Sequence, residues 1–565
     1  MCLRTEIDGE IVRKPKGQLG LLHPRLDVVE QIIQDWPESC VSLFMKPLGT
    51  NNSQAVTDVT WRRLFGALTK DGQALNLQIR RMIVHAIETG MLSKNTRLPS
   101  TRQLASLLGI ARNTVTTAYQ SLIDEGFLVS RERSGIFVAA GGNGRIKARH
   151  QADAVDDWSS RFAIKPSGLR QICKPRNWLD YAYPFLFGQY DPALFPTNNW
   201  REAVRAASSV KEIQGWAGDM IDDDDPDLVE QLQVQVLPRR GIFAGKGEII
   251  VTIGSQQALS MLVQLLVGPT TAVGIEDPGY PDVRNMVSLA TRNIVGLTLD
   301  RHGVLPDDDF VSRDVTFLTV SHQCPTTAVM PLDRRQQLLQ IASRENVVIV
   351  EDDYEADLSI ESDGDIPSLK SLDAEGRVIY VGSFSKVLAP GLRVGYIVAP
   401  PPVISELRVL RRLMLRHPPT NNQRALANFI ALGHYRQHLG RTGAVMLERA
   451  NLIADRLPDL VPSCRIIRGQ GATSFWIEGP PGFDGRQLMD LARQSGVLVE
   501  AGDIFFADPL AGRRYLRLGF GSIATHRIEA GLFRLAKLIE KSVERSGTGL
   551  RDHGRQPGCH PAILV

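Results

Sequence analysis

The sequence predicts a multidomain protein: an N-terminal winged helix-turn-helix, then a larger α/β domain that ends in a smaller α+β lobe. Three observations predict it. Leu98 to Ser130, LPSTRQLASLLGIARNTVTTAYQSLIDEGFLVS, holds two short helical periods separated by a glycine, with a hairpin pattern after them. From about residue 181, β-branched runs such as EIIVTIG, TAVGIED, VTFLTVSH, NVVIVEDD and VIYVGSFS alternate with amphipathic stretches, as in βα units around a largely parallel sheet buried on both faces. A chain of 565 residues also exceeds what one hydrophobic core organises.

These signals divide the chain into an extension of unclear role (1–60), the winged helix-turn-helix (61–139), a linker (140–180), the α/β domain (181–545) and a tail (546–565). Met45 is a second candidate start, which mass spectrometry of the native protein would decide. The apolar content of 43% argues against disorder, and even ALSMLVQLLVG (258–268) is too short and polar to span a membrane. The basic start IVRKPKG has no apolar run after it, so no secretory signal is visible and a cytoplasmic protein is expected. Cys2, Cys40, Cys173, Cys324, Cys464 and Cys559 lack metal-ligand spacing, so neither disulfides nor a metal are expected.

Charge is concentrated in the first module. Residues 61–139 carry 11 Lys or Arg against 5 Asp or Glu, so this +6 segment, in a chain of net +3, is the part suited to a polyanion. Ser100 and Gln103 form a capping box, Leu104, Leu107 and Leu108 supply a buried stripe, and Gly109 ends the helix. A second helix begins near Arg112, with Val115, Ala118, Tyr119 and Leu122 facing inward. Arg112, Asn113, Thr114, Thr116, Thr117 and Gln120 are left at its leading end or outer face, suited to base edges and phosphates in a major groove of double-stranded DNA. Strands at 127–129 and 136–138 enclose a turn with Gly135, and Arg131 and Arg133 on this wing suit backbone or minor-groove contact.

In the larger domain, GSFSKVLAPGLRVGY (382–396) places Lys386 in a Ser- and Gly-rich turn after a buried strand, which suits capture of a phosphorylated aldehyde, pyridoxal 5'-phosphate. That cofactor needs phosphate donors, a carboxylate at the ring nitrogen, a donor at the phenolic oxygen and an aromatic face. Ser383, Ser385 and Arg393 suit the phosphate, as do Ser255 and Gln256 in a strand-to-helix turn. Asp352, at the end of a buried strand, suits the ring nitrogen; Tyr354 suits the phenolic oxygen; Tyr280, in EDPGYP, suits the ring face. Taken singly, an aspartate after a strand or a tyrosine in a loop reads as a cap or packing, and the weight lies in the ordered set.

LPSTRQLA and ARNTVTTAYQSLIDEGFL resemble the winged helix-turn-helix of the GntR family, in which Arg102 and Arg112 match DNA-contacting arginines and Gly135 matches the wing. Ala111 stands where a capping Ser or Thr is frequent, which weakens that helix start. GSQQAL, EDPGY, EDDY and SFSK resemble, in order, the cofactor motifs of fold type I, class I aminotransferases, and the fusion resembles the MocR group of GntR regulators. The resemblance implies Lys386 as the Schiff-base lysine, Asp352, Tyr354 and Tyr280 around the ring, and Ser255, Gln256, Ser383 and Arg393 around the phosphate. It further implies a homodimer and Arg517 as the arginine that takes a ligand's carboxylate, for which a salt bridge at the lobe interface is the plain alternative. Departures are Cys324 and Thr327 around the PT pair, and Asp282 where relatives that recognise γ-aminobutyrate carry Arg, which disfavours that effector. DDDDPDL (222–228), where relatives carry glycines, reads as a solvated acidic loop.

The expected function is a transcription regulator in which pyridoxal phosphate, or its adduct with an amino acid or amine effector, shifts operator binding. A pyridoxal phosphate-dependent aminotransferase with a DNA-binding head is the alternative, since the lysine, aspartate and arginine of transamination are retained. A third reading is a DNA-binding dimer that keeps the large domain for assembly alone.

Overall fold

The computed structural model describes residues 61, 74–132, 134–139, 158–355 and 367–549, with side chains to 543. The extension at 1–60, Met45, Arg133 and most of the tail therefore lie outside the described residues. The chain forms two compact units, 1–161 and 162–565.

In the first unit, α1 (Leu75–Glu88), α2 (Thr101–Leu108) and α3 (Arg112–Asp124) precede an antiparallel pair, β1 (Leu128–Arg131) and β2 (Gly135–Val138). Ser100 caps α2 reciprocally with Gln103, and Gly109, at φ 64°, closes it in the left-handed conformation that glycine adopts without strain. Ala111 leaves α3 without a side-chain cap. Ile79, Ile83, Leu104, Val115, Tyr119 and Leu122 pack into one core, and the Tyr119 hydroxyl donates to the Pro99 carbonyl at 3.1 Å.

The second unit is built on seven strands: β3 (Ile249–Thr252), β4 (Val273–Glu276), β5 (Ile294–Leu297), β6 (Val315–Leu318), β7 (Val348–Asp353), β8 (Val378–Ser383) and β9 (Gly395–Val398). Their spatial order is β3-β9-β8-β7-β6-β4-β5, and β9 alone runs antiparallel to its neighbours. Wholly buried rows such as IIVT and VIYVGS explain why these strands read as continuous apolar runs, since helices cover both faces. Among those helices are α4 (Pro226–Gln231), α5 (Gly254–Leu266), α6 (Pro281–Ser288), α7 (Pro401–Leu415), α8 (Thr420–Ala431) and α9 (His434–Leu460). The smaller lobe carries an antiparallel sheet of β10 (Arg465–Ile467), β11 (Ser474–Glu478), β12 (Glu500–Ala501) and β13 (Tyr515–Gly519), backed by α10 (Thr525–Gly549).

Two features depart from the sequence reading. The acidic run at 222–225 is not a solvated loop at its C-terminal end. Asp224 is buried against Arg411 and Arg408, while Asp225 caps α4 and pairs with Arg424 on α8 at 2.8 Å. The arginines sit on helices nearly two hundred residues downstream, so local composition could not show the pairing. Residues 162–180, within the stretch read as linker, belong to the second unit, where Arg170 donates to the carbonyls of Asp503, Phe506 and Ala507.

A buried ion pair braces the sheet below the strand ends. Arg240 holds Asp353 at 2.9 Å, and Tyr380 donates to the same carboxylate oxygen. Arg240→Met should cost about 3–5 kcal/mol in a denaturant titration, because it strands the Asp353 charge in the core.

Candidate cofactor and DNA sites

The C-terminal strand ends bring most of the candidate residues together. Register pairs Ser383 on β8 with Gly395 on β9, and Gly395 with Thr252 on β3, so SFSK, Arg393 and the start of α5 meet at one edge. Gly254, at φ 70°, turns the chain from β3 into α5; a β-carbon there would lie 2.9 Å from Arg393 Nη2. Arg393 donates to the Ile253 carbonyl at 3.1 Å, which fixes its guanidinium at the helix N-terminus. The first-turn N–H groups around Ser255 and Gln256, the Arg393 charge and the Ser383 and Ser385 hydroxyls thus gather into a cup of donors suited to an anion. Ser383 Oγ accepts from the Ser385 N–H, and the buried Ser385 Oγ has no hydrogen-bond partner.

Beside this cup, Asp352, the penultimate residue of β7, has a buried Oδ1 without a hydrogen-bond partner. Burial, reinforced by Asp353, raises its carboxyl to about 7. Burial also lowers the Lys386 ammonium to about 7, with Lys174 and Arg517 adding like-charge repulsion. An unfolded aspartate ionises near 3.8, so the folded Asp352 keeps its proton to higher pH and its stabilising share is lost as pH rises from about 3.8 to 7. Asp352→Asn should therefore stabilise the cofactor-free protein at pH 8 by up to about 4 kcal/mol in urea titration, while weakening any ligand that brings a positive ring.

Other side chains are committed differently from the sequence reading. The Tyr354 hydroxyl donates to the His322 carbonyl at 2.8 Å. Tyr280 and Gln256 both donate to Asp282 Oδ2, at 3.1 and 2.6 Å, so Asp282 ties the ring-face candidate to the cup. Arg517, on β13 and only 2% exposed, pairs through Nε with Glu500 at 2.7 Å, and its Nη1 points at Cys324 Sγ at 3.6 Å. Burial raises the Cys324 thiol to about 12, so it stays protonated.

Three residues at this site escaped the sequence reading. A β-carbon on Gly188, at φ 74°, would fall on the Lys386 amine, so a side chain there would push Nζ aside. Phe187 contacts both cations: Lys386 Nζ lies 4.4 Å and Arg517 Cζ 4.2 Å from its ring centre. Lys174 reaches the same corner, donates to the Phe187 carbonyl and lies 3.2 Å from Glu500 Oε1. No spacing rule joins positions 174, 187 and 188 to 386, so only the fold could reveal them.

In the first unit, Arg102, Arg112, Asn113, Thr116 and Thr117 are exposed, and Thr114 is half-buried. Thr116 and Thr117 donate to the carbonyls four residues back, which leaves their oxygens as acceptors on the outer face. Arg131 lies over Phe137 at 4.6 Å and donates to Asn95 at 2.6 Å, so the wing holds it in place. Gly135 carries φ 109°, and a β-carbon there would lie 3.2 Å from the exposed Arg97 side chain. Arg97 is thus a further cation at the wing, foreshadowed only by the basic run KNTRLPSTR.

With this geometry in view, similarity to known proteins is informative. Residues 188–530 match the family described as aminotransferase class I and II, and residues 75–138 match the bacterial regulatory proteins of the gntR family. The HTH-type transcriptional regulator TauR of Rhodobacter capsulatus is 39% identical over 475 residues, covering 84% of this chain and 98% of its own. The chain belongs to the MocR-type regulators of the GntR family. The probable rhizopine catabolism regulatory protein MocR of Rhizobium meliloti is 32% identical, over 66% of this MocR-type chain and 75% of its own. Among solved structures, the α-aminoadipate aminotransferase LysN of Thermus thermophilus, complexed with N-(5'-phosphopyridoxyl)-L-leucine, superposes with a TM-score of 0.62 at 27% identity, covering 69% of this chain and 99% of that one. A MocR-type chain thus joins a gntR head to a fold type I aminotransferase-like domain. Among the described residues, no helix is long and apolar enough to cross a membrane.

Proposed function

We propose that this protein is a DNA-binding transcription regulator that carries pyridoxal phosphate on Lys386 and responds to an amino compound through it. The observation that carries this reading is the placement of Lys386 and Asp352 at the strand ends, with Asp352 Oδ1 buried and unpartnered beside an anion cup, in a chain whose other unit is a gntR-type head. The donor set fits the cofactor's needs. Arg393, Ser383, Ser385 and the first turn of α5 hold a phosphate, Asp352 holds a proton on the ring nitrogen, and Tyr280, steadied by Asp282, covers the ring. When bound, pyridoxal phosphate supplies an electrophilic carbon for amines and a protonated ring that takes up negative charge.

The protein's own groups set how that carbon is met. The Lys386 amine is half-buried, about half neutral near pH 7 and accommodated by Gly188. Arg112 and its neighbours on α3, with Arg102, Arg97 and Arg131, contact the operator, and two such heads in a homodimer read repeated half-sites. An amino acid or amine changes operator affinity to the extent that it binds two arrangements of the chain unequally. Both TauR and MocR bear the names of regulators, which favours this reading over a free-standing aminotransferase. The direct test is borohydride reduction of the protein mixed with pyridoxal phosphate, followed by peptide mass spectrometry. The phosphopyridoxyl group is expected on Lys386; its appearance mainly on other lysines would refute the assignment.

A further inference from the structure

Arg517 and Lys174 reach the same corner from different parts of the chain. Arg517 lies on the central strand β13 of the small lobe, whereas Lys174 lies in 162–180, the stretch through which the chain enters the second unit. Between them sits Glu500, 4% exposed, whose Oε2 accepts from Arg517 Nε at 2.7 Å and whose Oε1 faces Lys174 Nζ at 3.2 Å. The two cations hold the Glu500 carboxyl below its ordinary range although burial opposes them. The 162–180 segment is itself tied down next to the site: Arg170 donates to three carbonyls of the 503–507 loop, and Asn285 on α6 donates to the Arg170 carbonyl at 2.8 Å.

We propose that Lys174, Glu500 and Arg517 form one recognition relay for the carboxylate of an amino acid ligand, in which Lys174 anchors Glu500 and Glu500 fixes the Nε edge of Arg517. The inference rests on the proposed amino-compound reading of Lys386. Glu500 occupies Nε, which leaves the Nη edge, beside the Cys324 thiol, as the part of the guanidinium without a carboxylate partner. A guanidinium held from one side by a carboxylate is pre-oriented, and loses less freedom when its other edge takes a second carboxylate. The triad itself carries two cations against one carboxylate, while Glu355 also acts on the neighbouring Lys386. Lys174 is therefore a positioning residue, and because it belongs to the 162–180 segment, a pull on Arg517 passes through Glu500 to the chain that leads to the head.

The test uses the full-length protein loaded with pyridoxal phosphate and titrated with L-alanine, β-alanine and ethylamine, the last being the decarboxylated counterpart of both amino acids. Cofactor absorbance reports half-saturation, and hydrogen exchange reports the amides of 162–180. In wild type at least one amino acid should half-saturate at about one tenth the ethylamine concentration or lower, and it alone should change exchange in 162–180. In Lys174→Met this preference should fall about tenfold with the exchange response lost, and Lys174→Arg should restore both. Glu500→Gln should lower the preference in the same direction, which keeps the proposal testable if Lys174→Met fails to load cofactor. A preference unchanged in both Lys174→Met and Glu500→Gln, or absent from wild type for both amino acids, overturns the relay while leaving cofactor binding intact. Absence of cofactor absorbance in wild type overturns the parent reading and the relay with it.

Discussion

Lys386→Ala should abolish the visible absorbance that wild type gains with pyridoxal phosphate, and should remove any effect of the cofactor on DNA binding. No neighbouring amine substitutes for it. Lys174 is the closest other lysine on these contacts, but its amine is engaged by the Phe187 carbonyl and Glu500. The pH dependence of capture is set by the lysine's surroundings. Its ammonium titrates at about 7 in the fold against 10.5 for a free lysine, because burial and the Lys174 and Arg517 charges disfavour the proton. The neutral amine is the nucleophile, so the wild-type capture rate should rise through about pH 7 and level off above it. In linkage terms the unfolded chain holds this proton up to 10.5 and the folded chain only up to about 7, so Lys386 favours folding more as pH rises from 7 to 10.5. Stopped-flow absorbance between pH 6 and pH 9 reads the rate; a plateau reached only near pH 10 would contradict the assigned environment.

The second large effect is expected at the other end of the chain. Arg112→Ala should weaken operator binding by about 1–3 kcal/mol, a rise in Kd of roughly fivefold to 150-fold at fixed salt. Arg112 is exposed at the first turn of α3, and its Nε lies 3.4 Å from Thr101 Oγ1, a contact that orients it without using up its outer donors. If Arg112 reads a base, the loss should be largest on the specific site. A loss that is equal on unrelated DNA, with a shallower salt dependence, would make it a phosphate contact instead. Fluorescence anisotropy with DNA from upstream of the protein's own gene, compared with a scrambled duplex, separates these outcomes.

Much of the architecture was legible in the sequence because local rules suffice there. Ser100 with Gln103, Gly109, and the stripe of Val115, Ala118, Tyr119 and Leu122 specify α2 and α3 through capping and periodicity, and the structure reproduces each. Apolar runs ending at Thr252, Glu276, Asp353 and Ser383 specify buried strands, and parallel strands deliver the residues at their C-terminal ends to one edge. Convergence of Ser255, Tyr280, Asp352 and Lys386 is therefore a product of topology. The illegible part depends on pairs that only the fold creates. Asp224 and Asp225 read as solvated until Arg411 and Arg424 arrive from α7 and α8. The bond from the Tyr354 hydroxyl to the His322 carbonyl likewise has no local signal in the sequence. Arg517 read either as a ligand's arginine or as a lobe salt bridge, and its Nε edge is in fact bridged to Glu500. Lys174, Phe187 and Gly188 carried no motif at all.

At the core of the proposed function is the coupling, within one chain, of an amine-reactive cofactor to operator choice. It is tested most directly by measuring the operator Kd of the full-length protein in three states at constant salt: without cofactor, with pyridoxal phosphate, and with pyridoxal phosphate plus the amino acid that responds best in the absorbance titration. Kd should differ at least about fivefold between two of these states, as a coupling of about 1 kcal/mol requires, and Lys386→Ala should give one value in all three. A wild-type Kd that is the same in all three states, with the cofactor demonstrably bound, would contradict it.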